Sequence, residues 1–124
     1  MAELTPAYIA HCLAGDVRGN LRRATAWVGW LSERYYIEPV CPWIVLASVW
    51  PETMRDLGLE IDRAAVKRCG LVIACGPRIS PGMSIEIQSA KDFVDITGLT
   101  LLAQEDARVI SSRLDRVGIK SRHG

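Results

Sequence analysis

The stretch Cys75-Gly76-Pro77-Arg78-Ile79-Ser80-Pro81-Gly82-Met83-Ser84-Ile85-Glu86 carries the densest chemistry in the sequence. Ser80 has the side chain of a helix N-cap, and Pro81 suits the first helical position. Gly82 removes a side chain from the first turn, so a ligand can approach the backbone closely. The spacing predicts that the N–H groups of Gly82, Met83 and Ser84 face outward at a positive helix end, where phosphate or carboxylate binds. The Ser80 hydroxyl adds a hydrogen bond and Arg78 adds charge. Glu86 follows Gly82 on the same helix face, ~6 Å further along the axis. That offset is similar to the reach from a sugar 5′-phosphate to its anomeric carbon. A carboxylate there can attack that carbon and form a glycosyl-enzyme intermediate. A Ser-Pro-Gly helix start followed by a solvated Glu is common by itself; the position after a buried strand gives this one weight.

The elements that must position these residues read as follows. Residues 7–10 form a first strand after Pro6, and residues 11–19, with two glycines, a loop. Asn20 caps a helix to about residue 35, with Leu21, Ala24, Trp27, Val28 and Leu31 at offsets of three and four. Residues 36–40 are a weak second strand, cut by Pro39 and Pro42. Residues 41–51 are apolar but irregular, a loop or short turn of helix. Residues 52–68 return to helical spacing through Leu57, Ile61, Ala64 and Ala65, and Gly70 stops the helix. The unbroken apolar run 71–75 reads as a strand buried on both faces of a parallel sheet. The helix opened by Ser80-Pro81 carries a stripe of Met83, Ile87, Ala90 and Val94. Residues 99–102 read as a fourth strand, 105–117 as a last amphipathic helix, and 120–124 as a basic tail that frays.

Strands alternating with helices imply βαβ units. The predicted architecture is one domain over residues 1–124. It is α/β, a small doubly wound Rossmann-like three-layer sandwich of flavodoxin-like order, with a parallel sheet of four to five strands. Ligands of such sheets bind beyond the carboxyl ends of the strands, at the switch point. That rule selects the loops after Ala10, around residues 41–50, and after Cys75.

Composition narrows the function classes. A chain of 124 residues, 49% hydrophobic and 23% charged, is globular in balance and not disordered. Its formal net charge of +1 offers no basic surplus for general nucleic-acid binding or for a polybasic membrane anchor. The opening residues lack a basic region followed by an apolar core, and no apolar run nears the ~20 residues of a membrane span. The expected location is the cytoplasm. Cys12, Cys41, Cys69 and Cys75 include no CxxC pair, which excludes a zinc ribbon and a thioredoxin motif, and they read as small core residues. Four Trp and a positive mean hydropathy suggest a face buried against another copy, a dimer or larger homo-oligomer.

The pattern Ser80-Pro81-Gly82-Met83-Ser84-Ile85-Glu86 resembles the Ser-x-Gly-x-x-x-Glu motif of the nucleoside 2-deoxyribosyltransferase-like superfamily. Its members include deoxyribosyltransferases and 2′-deoxynucleoside 5′-phosphate N-hydrolases. Asp62, 24 residues before Glu86, matches the spacing of the Asp that assists the nucleophile and the leaving base in the N-hydrolases. Tyr8 matches a first-strand Tyr that touches the sugar or the nucleophile. The similarity covers residues 8–90, and its motifs are specific mainly in combination. It implies an N-glycosidase or glycosyl transferase acting on a nucleotide or nucleoside, with Glu86 as nucleophile and Asp62 and Tyr8 as helpers. It also implies a homo-oligomer, and a reaction without metal or organic cofactor. The pattern departs at Gly70, where many members carry Asp, and at Leu13-Ala14-Gly15-Asp16, where the N-hydrolases carry an Arg and paired glycines. These departures leave room for a nucleotide-binding module without catalysis.

The remaining residues are weighed against plainer roles. Asp62 either reaches the pocket or pairs with Arg63 or Arg55. Tyr8 on a central strand is by itself more often core than catalytic. His11 ends the first strand on the ligand side; with no partner at metal spacing it is a polar loop contact, not a ligand. Arg18 and Asn20 stand near the first loop, and Asn20 is a candidate substrate contact. Trp27 and Trp30 read as packing or subunit contacts. Trp43 and Trp50 face the predicted site, where one either stacks on a base or packs. Lys67, Arg68, Lys120 and Arg122 read as solvated charges.

Overall fold

A computed structural model describes residues 3–49, 55–101 and 103–123. Among them the chain runs β1 (Thr5–Ala10), α1 (Val17–Arg34), β2 (Ile37–Val40), α2 (Pro42–Val49), α3 (Arg55–Cys69), β3 (Leu71–Ala74), α4 (Pro81–Ser89), β4 (Asp92–Asp95) and α5 (Gln104–Asp115). The strands form one all-parallel sheet in the order β2-β1-β3-β4. This is the expected Rossmann-like sandwich, and its strand order reverses between β1 and β3.

The period-2 alternation of strands sorts the core into two layers. Ala7 and Ile9 of β1, with Leu71 and Ile73 of β3, face Trp27 and Leu31 of α1 and Ile110 and Leu114 of α5. Tyr8 and Ala10, with Val72 and Ala74, face Trp43 of α2, Ala65 and Val66 of α3, and Met83 of α4. Each fully buried aliphatic side chain contributes about 1.5–3 kcal/mol relative to exposure. The unbroken apolar run of β3 follows from this placement, because it is covered on both faces.

Local chemistry sets the boundaries and corrects several expectations. Asp16, not Asn20, caps α1, accepting from the Gly19 N–H at 3.1 Å. Asn20 lies inside the helix, buried, and its Nδ2 donates to the Leu13 carbonyl at 3.0 Å. Within residues 41–51, read as a loop or short turn of helix, residues 42–49 form helix α2. Trp50, Pro51 and the first residues of the expected 52–68 helix lie outside the described residues. Gly70 ends α3 with φ +73° and donates its N–H to the Val66 carbonyl at 2.9 Å. Its carbonyl accepts from the Asp92 N–H at 2.8 Å, which ties the helix end to β4. A left-handed cap of this kind favours Gly, which accounts physically for the departure from Asp.

Helix α4 stops at Ser89, and Val94 belongs to β4 and not to the helical stripe. Residues 99–101 are not a strand; Leu99 and Leu101 pack against the α1/α5 layer, and Leu102 lies outside the described residues. Among its described residues, 120–123, the basic tail, expected to fray, is tied to the end of α1. Arg122 donates from its backbone N–H to the Arg34 carbonyl at 2.8 Å, and from Nε to the Ser32 and Tyr35 carbonyls at 3.0 Å each. Its guanidinium lies over the Tyr36 ring, 4.6 Å from the centroid. The orphan carbonyls of the α1 terminus supply the reason, since a cation there meets both the dipole and the unpaired acceptors.

Candidate functional site

Tyr8 lies on the central strand, opposite Val40 of β2 and Val72 of β3. Its side chain is fully buried beneath the layer of α2, α3 and α4. Helix α3 packs against both β1 and α4. That packing brings Asp62 of α3 and Glu86 of α4 to the Tyr8 hydroxyl, as the electrostatics of all three groups record. Burial, then the charge of Glu86, then that of Asp62 hold the phenol far above its ordinary range. Burial pushes Glu86 up to about 7; the Tyr8 hydroxyl opposes the shift and the Asp62 charge adds to it. Burial likewise pushes Asp62 up to about 6, again opposed by Tyr8. The Tyr8 hydroxyl and the Asp62 Oδ1 are buried, yet neither closes a hydrogen bond of full geometry. The phenol thus stands within reach of both carboxylates with its proton uncommitted.

Two carboxyls in one partly desolvated site cannot both ionise freely near neutrality. Burial raises both, Asp62 to about 6 and Glu86 to about 7, and the Asp62 charge adds to the shift of Glu86, so near neutrality one carboxyl can hold a proton while the other is ionised. Opposite protonation states side by side are what a nucleophile and a general acid require.

The start of α4 is only partly as expected. Ser80 is the N-cap, and its Oγ accepts from the Met83 N–H at 3.3 Å. The Ser84 N–H donates to the Ser80 carbonyl at 3.0 Å. Two of the three amides expected to face a ligand are therefore consumed by the cap and the first helical bond, and the Met83 side chain is core. The physical reason is the cap itself: the Ser that marks the helix start uses the amides it satisfies. Of the three, the Gly82 N–H takes part in neither of these bonds, and a Cβ built on Gly82 meets nothing within 4 Å. Open space, the Gly82 amide, the Ser80 hydroxyl proton and the exposed Arg78 remain to hold an anion.

His11 is buried at the carboxyl end of β1, where the strand order reverses. Its Nδ1 lies 2.7 Å from the Cys12 carbonyl, which can only accept, so Nδ1 carries the proton and Nε2 is a bare acceptor. Burial lowers its pKa and keeps the ring neutral; the Cys12 carbonyl opposes this and the Arg23 charge adds to it. A Cβ on Gly76 would meet the His11 ring at 2.6 Å, and Gly76 has φ +94°. Gly76→Ala is therefore expected to cost about 2–4 kcal/mol from strain and overpacking. A thermal melt checks it, with the unobstructed Gly82→Ala as control; a wild-type melting temperature for Gly76→Ala would contradict the packing.

Other residues expected to contact a ligand have partners within the fold. Asn20 donates its amide to the first loop and accepts from Arg23 at 2.9 Å, so it organises that loop. Trp43 is buried, and its Nε1 donates to the Ile9 carbonyl at 2.9 Å. The β1–β2 register ends at Tyr8, which leaves that carbonyl in need of a donor. Trp43 is thus an anchor of α2 and not a base-stacking platform. Trp27 and Trp30 meet edge to face at 5.9 Å. The four cysteines are free. Among the described residues, no group of three or more His, Cys, Asp and Glu gathers to hold a metal ion, and no helix is long and apolar enough to cross a membrane. Sequence reasoning passed over the Gly76–His11 contact; its signal was a Gly directly after a buried strand.

Fold and site together define a doubly wound α/β domain with a carboxylate pair and a buried phenol on one face of its sheet. The chain belongs to the family described as a domain of unknown function, DUF7768, whose model matches residues 5–94. No curated protein and no solved structure matches it significantly. The matched segment contains Tyr8, Asp62 and Glu86 and ends at β4.

Tyr8→Phe tests the coupling of the three groups. The hydroxyl forms no complete hydrogen bond, so its loss is expected to change stability by less than about 1 kcal/mol. Because Tyr8 lowers both carboxylate values, its loss raises them. NMR titration of the two carboxyls should show both moving up, and unmoved values would refute the contact.

Proposed function

We propose that the chain is an N-glycosidase, or a glycosyl transferase of the same mechanism, that cleaves the N-glycosidic bond of a nucleotide or nucleoside. The observation that carries this reading is the buried Tyr8 faced by two carboxyls from separate helices, one near 6 and one near 7. Ionised Glu86 attacks the anomeric carbon through an oxocarbenium-like transition state. The carbon–nitrogen bond breaks, and the base leaves with the proton of Asp62. The glycosyl–Glu86 ester is then opened by water, whose proton passes to Asp62, or by a second base in transfer. Tyr8 donates to the ionised Glu86 and helps it keep its charge. The free protein favours the shared proton on Glu86, whereas the productive form has it on Asp62. A 5′-phosphate rests on the Gly82 amide, the Ser80 hydroxyl and Arg78. These steps call on no metal or organic cofactor, and the free cysteines fit a reducing cytoplasm.

A second reading is a nucleotide-binding module without catalysis. It draws on the higher value of Glu86, which leaves much of it protonated at neutrality, and on the internal use of the Met83 and Ser84 amides.

Free-base release separates the two. The protein is incubated with ribo- and deoxyribonucleosides, their 5′-monophosphates and NAD, and products are resolved by chromatography beside Glu86→Gln. Base release that disappears in the variant supports the glycosidase. A thermal shift with a monophosphate and no release from any substrate supports the binding module.

A further inference from the structure

We propose that His11 is an acid-operated latch on residues 76–79, the segment that carries the chain from β3 into α4: the neutral ring holds the segment shut, and a proton on Nε2 releases it. The ring is 5% exposed, and its Nε2 is buried and bonds to no group among the described residues. Nδ1 already gives its proton to the Cys12 carbonyl, so Nε2 is the position left for a further one. The ring edge that carries Nε2 rests on Gly76, where a Cβ would come within 2.6 Å of both Nε2 and Cδ2. A proton on Nε2 therefore aims a charged donor at the Gly76 carbon, which cannot accept it.

The surrounding groups oppose the charge. From α1, Arg23 acts on the ring and resists a second cation, even while it pairs with Asp16 at 3.4 Å. At the end of β3, burial keeps the Cys75 thiol protonated, so it offers no anion. On the segment itself, Arg78 is a further cation. Among the described residues the Cys12 carbonyl favours the imidazolium, and Nδ1 already uses it. A buried charge without a partner is costly, so the protonated ring is stable where water reaches Nε2, with Gly76 lifted.

The segment can yield at that point. Pro77, Arg78 and Ile79 are exposed, and the Gly76 carbonyl accepts from the Gly98 N–H at 2.8 Å, beyond the ends of β3 and β4. Further in, the Ile96 N–H bonds the Ala74 carbonyl and the Cys75 N–H bonds the Ala10 carbonyl, which keeps the sheet closed. Lifting Gly76 thus breaks the Gly98 bond in a local opening, not an unfolding. It also displaces Arg78 and the approach to Ser80. That consequence for an anion rests on the glycosidase reading; the latch does not. Burial holds the closed ring below the ordinary value of 6.5. As pH falls from 6.5 toward that closed value, the open form gains on the closed one by up to about tenfold per pH unit.

Amide hydrogen exchange read by NMR from about pH 7.5 to about pH 4.5 tests it, each rate divided by the intrinsic rate at that pH. Protection of the Gly98 amide should fall in step with titration of the His11 ring, while Ile96 stays protected. His11→Phe and His11→Gln cannot take the proton, and their Gly98 protection should not change with pH. Glu86→Gln should keep the transition, because the carboxyl pair does not drive it. Wild-type Gly98 protection that ignores the His11 titration overturns the latch, as does an equal fall at Ile96. The same fall in both His11 variants, or its loss in Glu86→Gln, also overturns it. The acid limb of base release should become second order in protons below the His11 titration and stay first order in His11→Phe; a first-order wild-type limb overturns the coupling to the anion site. A protein that releases no base refutes the glycosidase reading, and the exchange data still decide the latch.

Discussion

Glu86→Gln is expected to lose base release by at least about a thousandfold and, at pH 8, to melt several degrees above the wild type. The first effect follows from removing the nucleophile. The second follows from the cost of holding an anion in the site. Below the ordinary Glu value of 4.5, folded and unfolded chains are both protonated, and the group costs nothing. Between 4.5 and about 7, the folded protein holds a proton that the unfolded chain has released, so stability falls as pH rises. Above about 7 the loss is complete. At about 1.4 kcal/mol per pH unit the displacement corresponds to at most about 3.5 kcal/mol. Solvent at the partly exposed carboxylate reduces that to on the order of 1–2 kcal/mol, or about 4–8 °C in Tm. The gain should vanish by pH 4–5, where Gln and protonated Glu are near isosteres. Melts across this range check it: a gain independent of pH, or none at pH 8, contradicts the burial of the charge.

Base release is expected to follow a narrow bell in pH, highest between about 6 and about 7, where the carboxyl pair is singly protonated. On the acid side Glu86 loses its charge; on the alkaline side Asp62 loses the proton owed to the leaving base. Asp62→Asn removes that acid and should slow release by about 10²–10⁴-fold. It should also abolish the alkaline limb and lower the Glu86 value, because the Asp62 charge raises it. A substrate whose leaving group is acidic enough to depart unprotonated should suffer much less. Equal losses for good and poor leaving groups would show that Asp62 only positions Glu86.

The parts of this molecule legible in sequence are those where one local rule acts alone. The run 71–75 announced a doubly covered strand, and Ser80-Pro81 announced the start of α4 to the residue. The spacing from Ser80 to Glu86, with Asp62 before it, placed both carboxyls on the helices that carry them. β4 was hidden because an edge strand needs only one buried side chain. Val94 is that residue, flanked by Asp92, Phe93 and Asp95, and it happens to continue a helical stripe from Met83 and Ile87. The apolar residues 99–101 imitated a strand because they cover the core from a turn. Helix α2 lacks amphipathic contrast and has no capping signal, so periodicity could not find it. At the site, the convergence on Tyr8 depends on how α3 leans on α4, a tertiary relation that no spacing encodes.

The family's segment closes at residue 94, yet the α1/α5 layer is finished by Ile110, Leu114 and Ile119 beyond it. Arg113 of α5 also holds the Asp95 carbonyl at 2.6 Å. The boundary of shared ancestry is therefore not a boundary of autonomous folding. A chain cut after Asp95 keeps every residue of the carboxylate site but removes the part of the cover over Ile9, Ile73 and Val94 that Ile110, Leu114 and Ile119 supply beside α1. Domain trimming guided by the family match alone would thus yield an aggregating fragment, and the last helix must travel with the site for the chemistry to be studied at all.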